Sequence, residues 1–291
     1  MTINSLVFAG GGNRCFWQAG FWHTYTQEVE VKPKAIASVS AGSAVSCALF
    51  AGKILETLEI TKEVMSRNAK NRYLSNLFSD EPVYPHSHLY RHIIHQAINE
   101  KDLEKLRQGP ENRILLAHIP AWLGPRSAVL VGLGAYQLEK KLSHPVHPVF
   151  GRKLGFRSEF VMANQAQSIA ELSDIILSSS CTPPFTPIMY RHGKPVLDGG
   201  LVDNVPVHGV DNEPGHMLVL LSRPYKQLPN IPNRTYIQPS KPVPAVSWDY
   251  TNPEAVQATF DQGVEDAKRY LQHMDKSEKS LVAASEPLAA Q

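Results

Sequence analysis

The sequence predicts an α/β fold with parallel strands and helices on the sheet faces. Two observations carry this. The first 67 residues alternate short apolar runs, small-residue turns and helix-patterned segments in the order strand, helix, strand, helix, a βαβα unit. Later, "HMLVLLSRP" is a continuous apolar run closed by proline, the composition of a strand buried on both faces. A chain of 291 residues with 43% hydrophobic content can bury a sizeable core.

The elements follow in order. "SLVFA" at residues 5–9 is a strand stopped by three glycines, and "NRCFWQAGFWHTYTQE" is the helix after it. "AIASVS" is a second strand that ends in a small-residue turn. "SAVSCALFAGKILETLEITKEVMSR" is helical, with a break expected near Gly52. Residues 66–125 are rich in His and Tyr and carry little periodicity, apart from a strand at "RILLAHI". "AVLVGLGAY" and "FVMAN" read as further strands, and "SIAELSDIILSSS" as a helix. "KPVLDGG" is a strand entering a glycine turn. The prolines between Pro224 and Pro253 predict an extended surface excursion. A last helix then begins with Asn252 as N-cap and Pro253 in the first turn. Its apolar positions Val256, Phe260, Val264, Ala267, Leu271 and Met274 recur at helical spacing. The expectation is a single domain over residues 1–276, with 66–125 as a candidate lid or insertion and 277–291 as a disordered tail.

Composition excludes several classes. A formal net charge of +2, without a dense basic run, argues against a nucleic-acid partner. Three widely spaced cysteines, Cys15, Cys47 and Cys181, form no CxxC pair, which argues against a disulfide framework or a structural zinc and for a reducing compartment. "MTINSLVFAGGG" has no basic n-region and only a short apolar run, so it reads as a buried strand rather than a signal peptide. The expected location is the cytoplasm, with room for peripheral membrane association or export without a signal.

Three segments carry chemistry. In "AIASVSAGSA", Ser38-Val39-Ser40-Ala41-Gly42 has the form of a strand-to-helix elbow that exposes a serine hydroxyl above a sheet; Ser40 is the candidate nucleophile. In "FAGGGNRCF", consecutive glycines at a strand end leave backbone N–H groups open to a substrate oxygen. One such donor to an oxyanion is worth ~3–4 kcal/mol. A dinucleotide loop would need glycine where Cys15 stands. In "KPVLDGGLVDNVPV", Asp198 closes a strand before a two-glycine turn, and Asp203 and Asn204 shape the loop to Pro206. All three segments are expected at the carboxyl edge of a parallel sheet, where ligands bind. Of the histidines after Asp198, none of His208, His216 and His273 falls at a strand's carboxyl end. Asp198 acting directly as base is the simpler arrangement, although a reference pKa of ~3.9 would need raising for that task.

These segments resemble the patatin-like phospholipases: a GGG-x-R loop, a serine elbow soon after it, and a distant Asp-Gly-Gly followed by Asn-x-Pro. The most specific stretch is "SSSCTPPFTPIMYRHGKPVLDGGLVDNVPV". The resemblance runs from Ser5 to about Met274, loosely over 66–165. It implies a three-layer α/β/α sandwich with a mostly parallel central sheet. It also implies hydrolysis of lipid acyl esters through an acyl-enzyme by a Ser40–Asp198 dyad, with no cofactor and no metal. The oxyanion hole would come from the Gly10, Gly11, Gly12, Asn13 and Arg14 loop. The sequence departs from the family pattern at Ala9, at Cys15 in place of the loop's last glycine, and at Ser38 in place of the elbow's first glycine. Acyl transfer to another acceptor, and a lipid-binding protein without turnover, remain open beside hydrolysis.

Two side constellations remain. His86, His88, His92 and His95 have helical spacing, but no further ligand completes a metal site, so a solvated polar face is expected. Phe16, Trp17, Phe21 and Trp22 are expected mainly in the core, with one or two lining an acyl channel. Tyr73, Phe78, Tyr84 and Trp122 belong to the candidate lid or membrane-contact region.

Overall fold

The computed structural model describes residues 3–125, 127–132, 134, 146–147 and 150–274. Eight strands form one sheet: β1 (Ile3–Phe8), β2 (Ala35–Val39), β3 (Glu111–His118), β4 (Arg157–Met162), β5 (Met189–Arg191), β6 (Lys194–Asp198), β7 (His216–Leu220) and β8 (Arg234–Ile237). Their order is β5-β6-β3-β2-β1-β7-β8, with β4 also paired to β3. The five strands from β3 to β8 along this path run parallel. β4 and β6 are antiparallel to β3, and β5 to β6.

Side chains alternate between the faces as the pleat requires. Leu6, Phe8, Ile36, Ile114 and Leu116 point to one face. It is covered by α1 (Phe16–Glu28), α2 (Ala41–Phe50), α3 (Ile54–Ser66), α4 (His86–Ala97), α5 (Glu100–Gln108), α6 (Ile169–Ser179) and α7 (Pro253–His273). Val7, Ala37, Val39 and Leu115 face the other way, against Ala128, Phe156, Leu201 and Val205. The result is a layered α/β/α architecture with one thick helical layer and one thin one.

Local sequence explains most element boundaries. Gly52, at φ +72°, separates α2 from α3 at the expected break. The Asn252 side chain accepts the Ala255 N–H, with Pro253 in the first turn of α7. Trp17 Nε1 donates to Asp266 Oδ2 at 2.8 Å and ties α1 to α7. Phe16, Trp17, Phe21 and Trp22 are all buried.

Four expectations need correction. "AVLVGLGAY" is not a strand: residues 127–132 are helical, with Ala128 and Gly132 buried one turn apart and Leu130 exposed. A short apolar run of this kind cannot be assigned by periodicity alone; Leu133, Ala135 and Tyr136 lie outside the described residues. The proline-rich stretch is not wholly an excursion, because Arg234–Ile237 adds β8 beside β7. Residues 66–125 are not all peripheral either: α4, α5 and β3 contribute Ile94, Leu103 and Ile114 to the core. Lastly, β6 runs against the parallel strands, so Asp198 does not end a parallel strand. The expected tail at 277–291 lies outside the described residues.

Candidate active site

Sheet register brings the two candidate catalytic residues to one level. Val39 pairs with Leu115 and Asp198 with Leu116; because β4 occupies the other edge of β3 from Arg113 to His118, β2 and β6 end head to head along one edge of β3. Ser40 follows Val39 with φ 53° and ψ −135°, a conformation that costs a non-glycine residue of order 1–3 kcal/mol. The bend turns its hydroxyl toward the facing end of β6. Ser40 Oγ donates directly to Asp198 Oδ2 at 2.7 Å.

The elbow is braced from several sides. Ser40 N–H donates to Ser179 Oγ at 2.8 Å, and Ser179 Oγ donates to Leu115 O at 2.7 Å. Gly42 lies where a Cβ would come within 2.6 Å of Ala9 O, so α2 can close onto the end of β1 only with glycine there. Position 38 has no such need. Ser38 Oγ donates to Asn112 Oδ1 at 2.9 Å, and Asn112 Nδ2 donates to Ser46 Oγ at 2.9 Å. Ser46 then donates to Ser43 O, and Ser43 to Ser40 O. Ser38 is thus one end of a buried polar chain that runs to the Ser40 carbonyl.

Asp198 is held as firmly. Its Oδ2 also accepts from Thr182 Oγ1 at 3.2 Å, and Oδ1 accepts the Gly200 N–H at 2.7 Å. Burial pushes its carboxyl up to about 6, against the opposing pull of the Ser40, Gly200 and Thr182 hydrogen bonds. This is the raising that the base role requires. The three later histidines are engaged elsewhere: His208 with Asp211, His216 with Thr235, and His273 with Arg269 O.

The glycine loop lies against this pair. A Cβ on Gly10 would sit 3.2 Å from Ser40 Cβ. Gly12 has φ +58° and packs against Ser247 O, a place that only glycine fills without strain. Not every nominated amide is open. Gly10 N–H donates to Asn204 O at 3.0 Å and Asn13 N–H to Ser247 O at 3.1 Å, which removes both as oxyanion donors. Gly11 and Gly12 have N–H groups with no acceptor among the described residues. Arg14 turns back on the loop, its Nε donating to Gly11 O at 3.1 Å. Asn204 Nδ2 donates to Gly10 O at 3.1 Å, and Ser222 Oγ donates to the same carbonyl at 2.6 Å. Asn204 therefore clamps the loop to the turn that carries Asp198. Cys15 is fully buried with its Sγ 3.4 Å from Ala9 O, and burial pushes the thiol up to about 12, so it is unreactive packing inside the loop.

An apolar pocket opens beside the elbow. Gly12, Asn13 and Ala41 line it next to the elbow, and α2, α3 and α4 supply most of its walls. Phe16 lines it and Trp17 does not. His86 is buried against Tyr84, Phe185, Trp248 and Tyr250, with Nε2 2.8 Å from Trp248 O, whereas His88, His92 and His95 face solvent. The expected solvated face thus holds for three of the four. Among the described residues no three His, Cys, Asp or Glu side chains converge as a metal site.

The model of the patatin-like phospholipase family matches residues 6–211, and the chain belongs to that family. Among solved structures the chain is similar to VipD from Legionella pneumophila, with 13% identity and a TM-score of 0.46, over 94% of this chain and 67% of that one. No curated protein sequence matches.

Sequence reasoning missed Ser179, Thr182 and Asn112. The first two stand in the hydroxyl-rich "SSSCT", a signal that was visible but not assigned to a partner. Ser38→Ala leaves Asn112 Oδ1 buried without its donor and is expected to cost about 1–3 kcal/mol, read as a lowered denaturant midpoint. Asp198→Asn tests the electrostatics. The folded-state carboxyl titrates above its unfolded value, so its ionised form carries a net cost that is full above pH ~6 and vanishes below pH ~4. The variant is therefore expected to melt higher than wild type at pH 8, with the difference closing as pH falls through that window.

Proposed function

We propose that the protein is a serine lipid acyl hydrolase that works through a Ser40–Asp198 dyad. The observation that carries this reading is the direct 2.7 Å bond between a serine on a strained elbow and a carboxylate whose pKa burial has raised. Ser40 Oγ attacks an ester carbonyl and its proton passes to Asp198. The developing oxyanion takes the Gly11 and Gly12 N–H groups, with the N-terminus of α2 adding its dipole. Asp198 returns the proton to the departing alcohol, leaving an acyl-enzyme on Ser40. Water, deprotonated by Asp198, then attacks that ester, and the fatty acid leaves as the Ser40 hydroxyl is restored.

The exposed side chains Leu74, Leu77, Phe78 and Trp122 support brief contact with a lipid surface during substrate capture. Leu74–Phe78 forms a short 3-10 segment in a loop that Asn71 bonds to Asp249 and Tyr250, next to the pocket mouth. No helix among the described residues is long and apolar enough to cross a membrane. Three buried, unpaired thiols support a reducing compartment such as the cytoplasm.

Hydrolysis of p-nitrophenyl butanoate tests the mechanism. Ser40→Ala and Asp198→Asn are each expected to lower kcat by at least about 10³-fold while retaining the fold. Wild-type kcat/KM is expected to fall about tenfold per pH unit below pH ~6, as the base becomes protonated. Retained turnover in either variant, or a rate independent of pH between 4 and 7, contradicts the assignment.

A further inference from the structure

The pocket beside the elbow also has a length. Along α2 its wall is made by Ala41, Ala44, Val45 and Ala48, one apolar stripe at helical spacing. Ala41 adjoins Ser40, so the stripe starts at the proposed nucleophile and leads away from it. α4 runs alongside: its N-terminal residue His86 bonds Trp248 O near the mouth, and its far end carries Ala97 into the lining, followed by Ile98. α3 closes the third side with Thr61 and then, farther in, Thr57. Both hydroxyls are spent on carbonyls within their own helix region, Lys53 O and Thr57 O, so they present methyl groups and no free donor.

The core cluster that holds Ala97 and Ile98 also holds Ala51 and Leu103, both fully buried. At ~1.5 Å per residue, the stripe from Ala41 to Ala48 spans about 10 Å, and that from Tyr90 to Ile98 about 12 Å. An extended hydrocarbon advances about 1.25 Å per carbon, from bonds of ~1.5 Å at a tetrahedral zigzag. The space therefore takes about eight to ten carbons.

We propose that this pocket is a blind acyl slot that makes the protein selective for medium-chain acyl groups of about eight to ten carbons, with Ala97 and Ile98 as the residues that set the limit. The inference rests on the proposed attack by Ser40, which places the ester carbonyl at the Ala41 end. Up to the limit, each further methylene enters an apolar site and improves transition-state binding by about fourfold. Beyond it, added carbons stay in water or force the wall apart.

The test is kcat/KM for p-nitrophenyl esters from butanoate to tetradecanoate, each kept below its critical micelle concentration. The expected profile climbs about fourfold per carbon and breaks between octanoate and decanoate. Ala97→Leu is expected to move the break to shorter chains, and Ile98→Ala to longer ones. Because these shifts have opposite signs, a folding defect in one variant leaves the other to decide. A steady climb through tetradecanoate, or a break that neither variant moves, overturns the slot. Displacement of a bound fluorescent fatty acid from Ser40→Ala reads the pocket without chemistry. Octanoate and decanoate are expected to compete better there than tetradecanoate. If that order appears while the wild type hydrolyses no ester, the slot stands and the hydrolase reading falls.

Discussion

The Ser40–Asp198 hydrogen bond depends on a sheet that changes direction at β3. β2 rises parallel to β3 and ends at Val39, one residue before the elbow. β6 descends antiparallel along the same edge of β3, β4 holding the other edge, and ends at Asp198, opposite Leu116. Had β6 run parallel along that edge, its amino end would face Ser40 and Asp198 would lie at the far end of the strand. Instead the turn folds under, with Gly199 against Leu115 O and Val39, and the carboxylate stays level with the serine.

Such a site has to be held against its own costs. The positive φ at Ser40 and the buried carboxylate of Asp198 both weigh against the folded state. Fixed donors and acceptors offset them: Ser179 on the Ser40 amide, the Ser38–Asn112–Ser46 chain below it, and Thr182 and Gly200 on the carboxylate. Asn204 and Ser222 share the carbonyl of Gly10 and so fix the glycine loop to both neighbouring segments. The arrangement is preorganised, in that the donors are in position before any substrate charge develops.

What the sequence disclosed was what neighbouring residues encode. The βαβα opening, the elbow at Ser40, the glycine loop and the capped start of α7 are all set within a few residues and were all legible. Strand direction is not a local property. "KPVLDGG" has the same apolar pattern whichever way it pairs, so the antiparallel β6 emerged only with the fold. "AVLVGLGAY" failed for a related reason: a short apolar run covers a sheet equally well as a helix. The amides of Gly10 and Asn13 looked as open as those of Gly11 and Gly12. What engages them, Asn204 O and Ser247 O, lies roughly two hundred residues away in the chain. Asn112 is likewise an ordinary polar residue on a predicted strand until Ser38 and Ser46 meet it. The departure at Ser38 is explained by a partner, Asn112, that no short window contains, whereas Cys15 meets Ala9 O within its own loop.

Covalent trapping with a fluorophosphonate, followed by peptide mapping at several pH values, addresses the dyad most directly. The account predicts one adduct, on the peptide containing Ser40, forming at a rate that rises through an apparent pKa near 6 and collapses in Asp198→Asn. An adduct on another residue, or labelling of Ser40 at an undiminished rate without the Asp198 carboxylate, would contradict it.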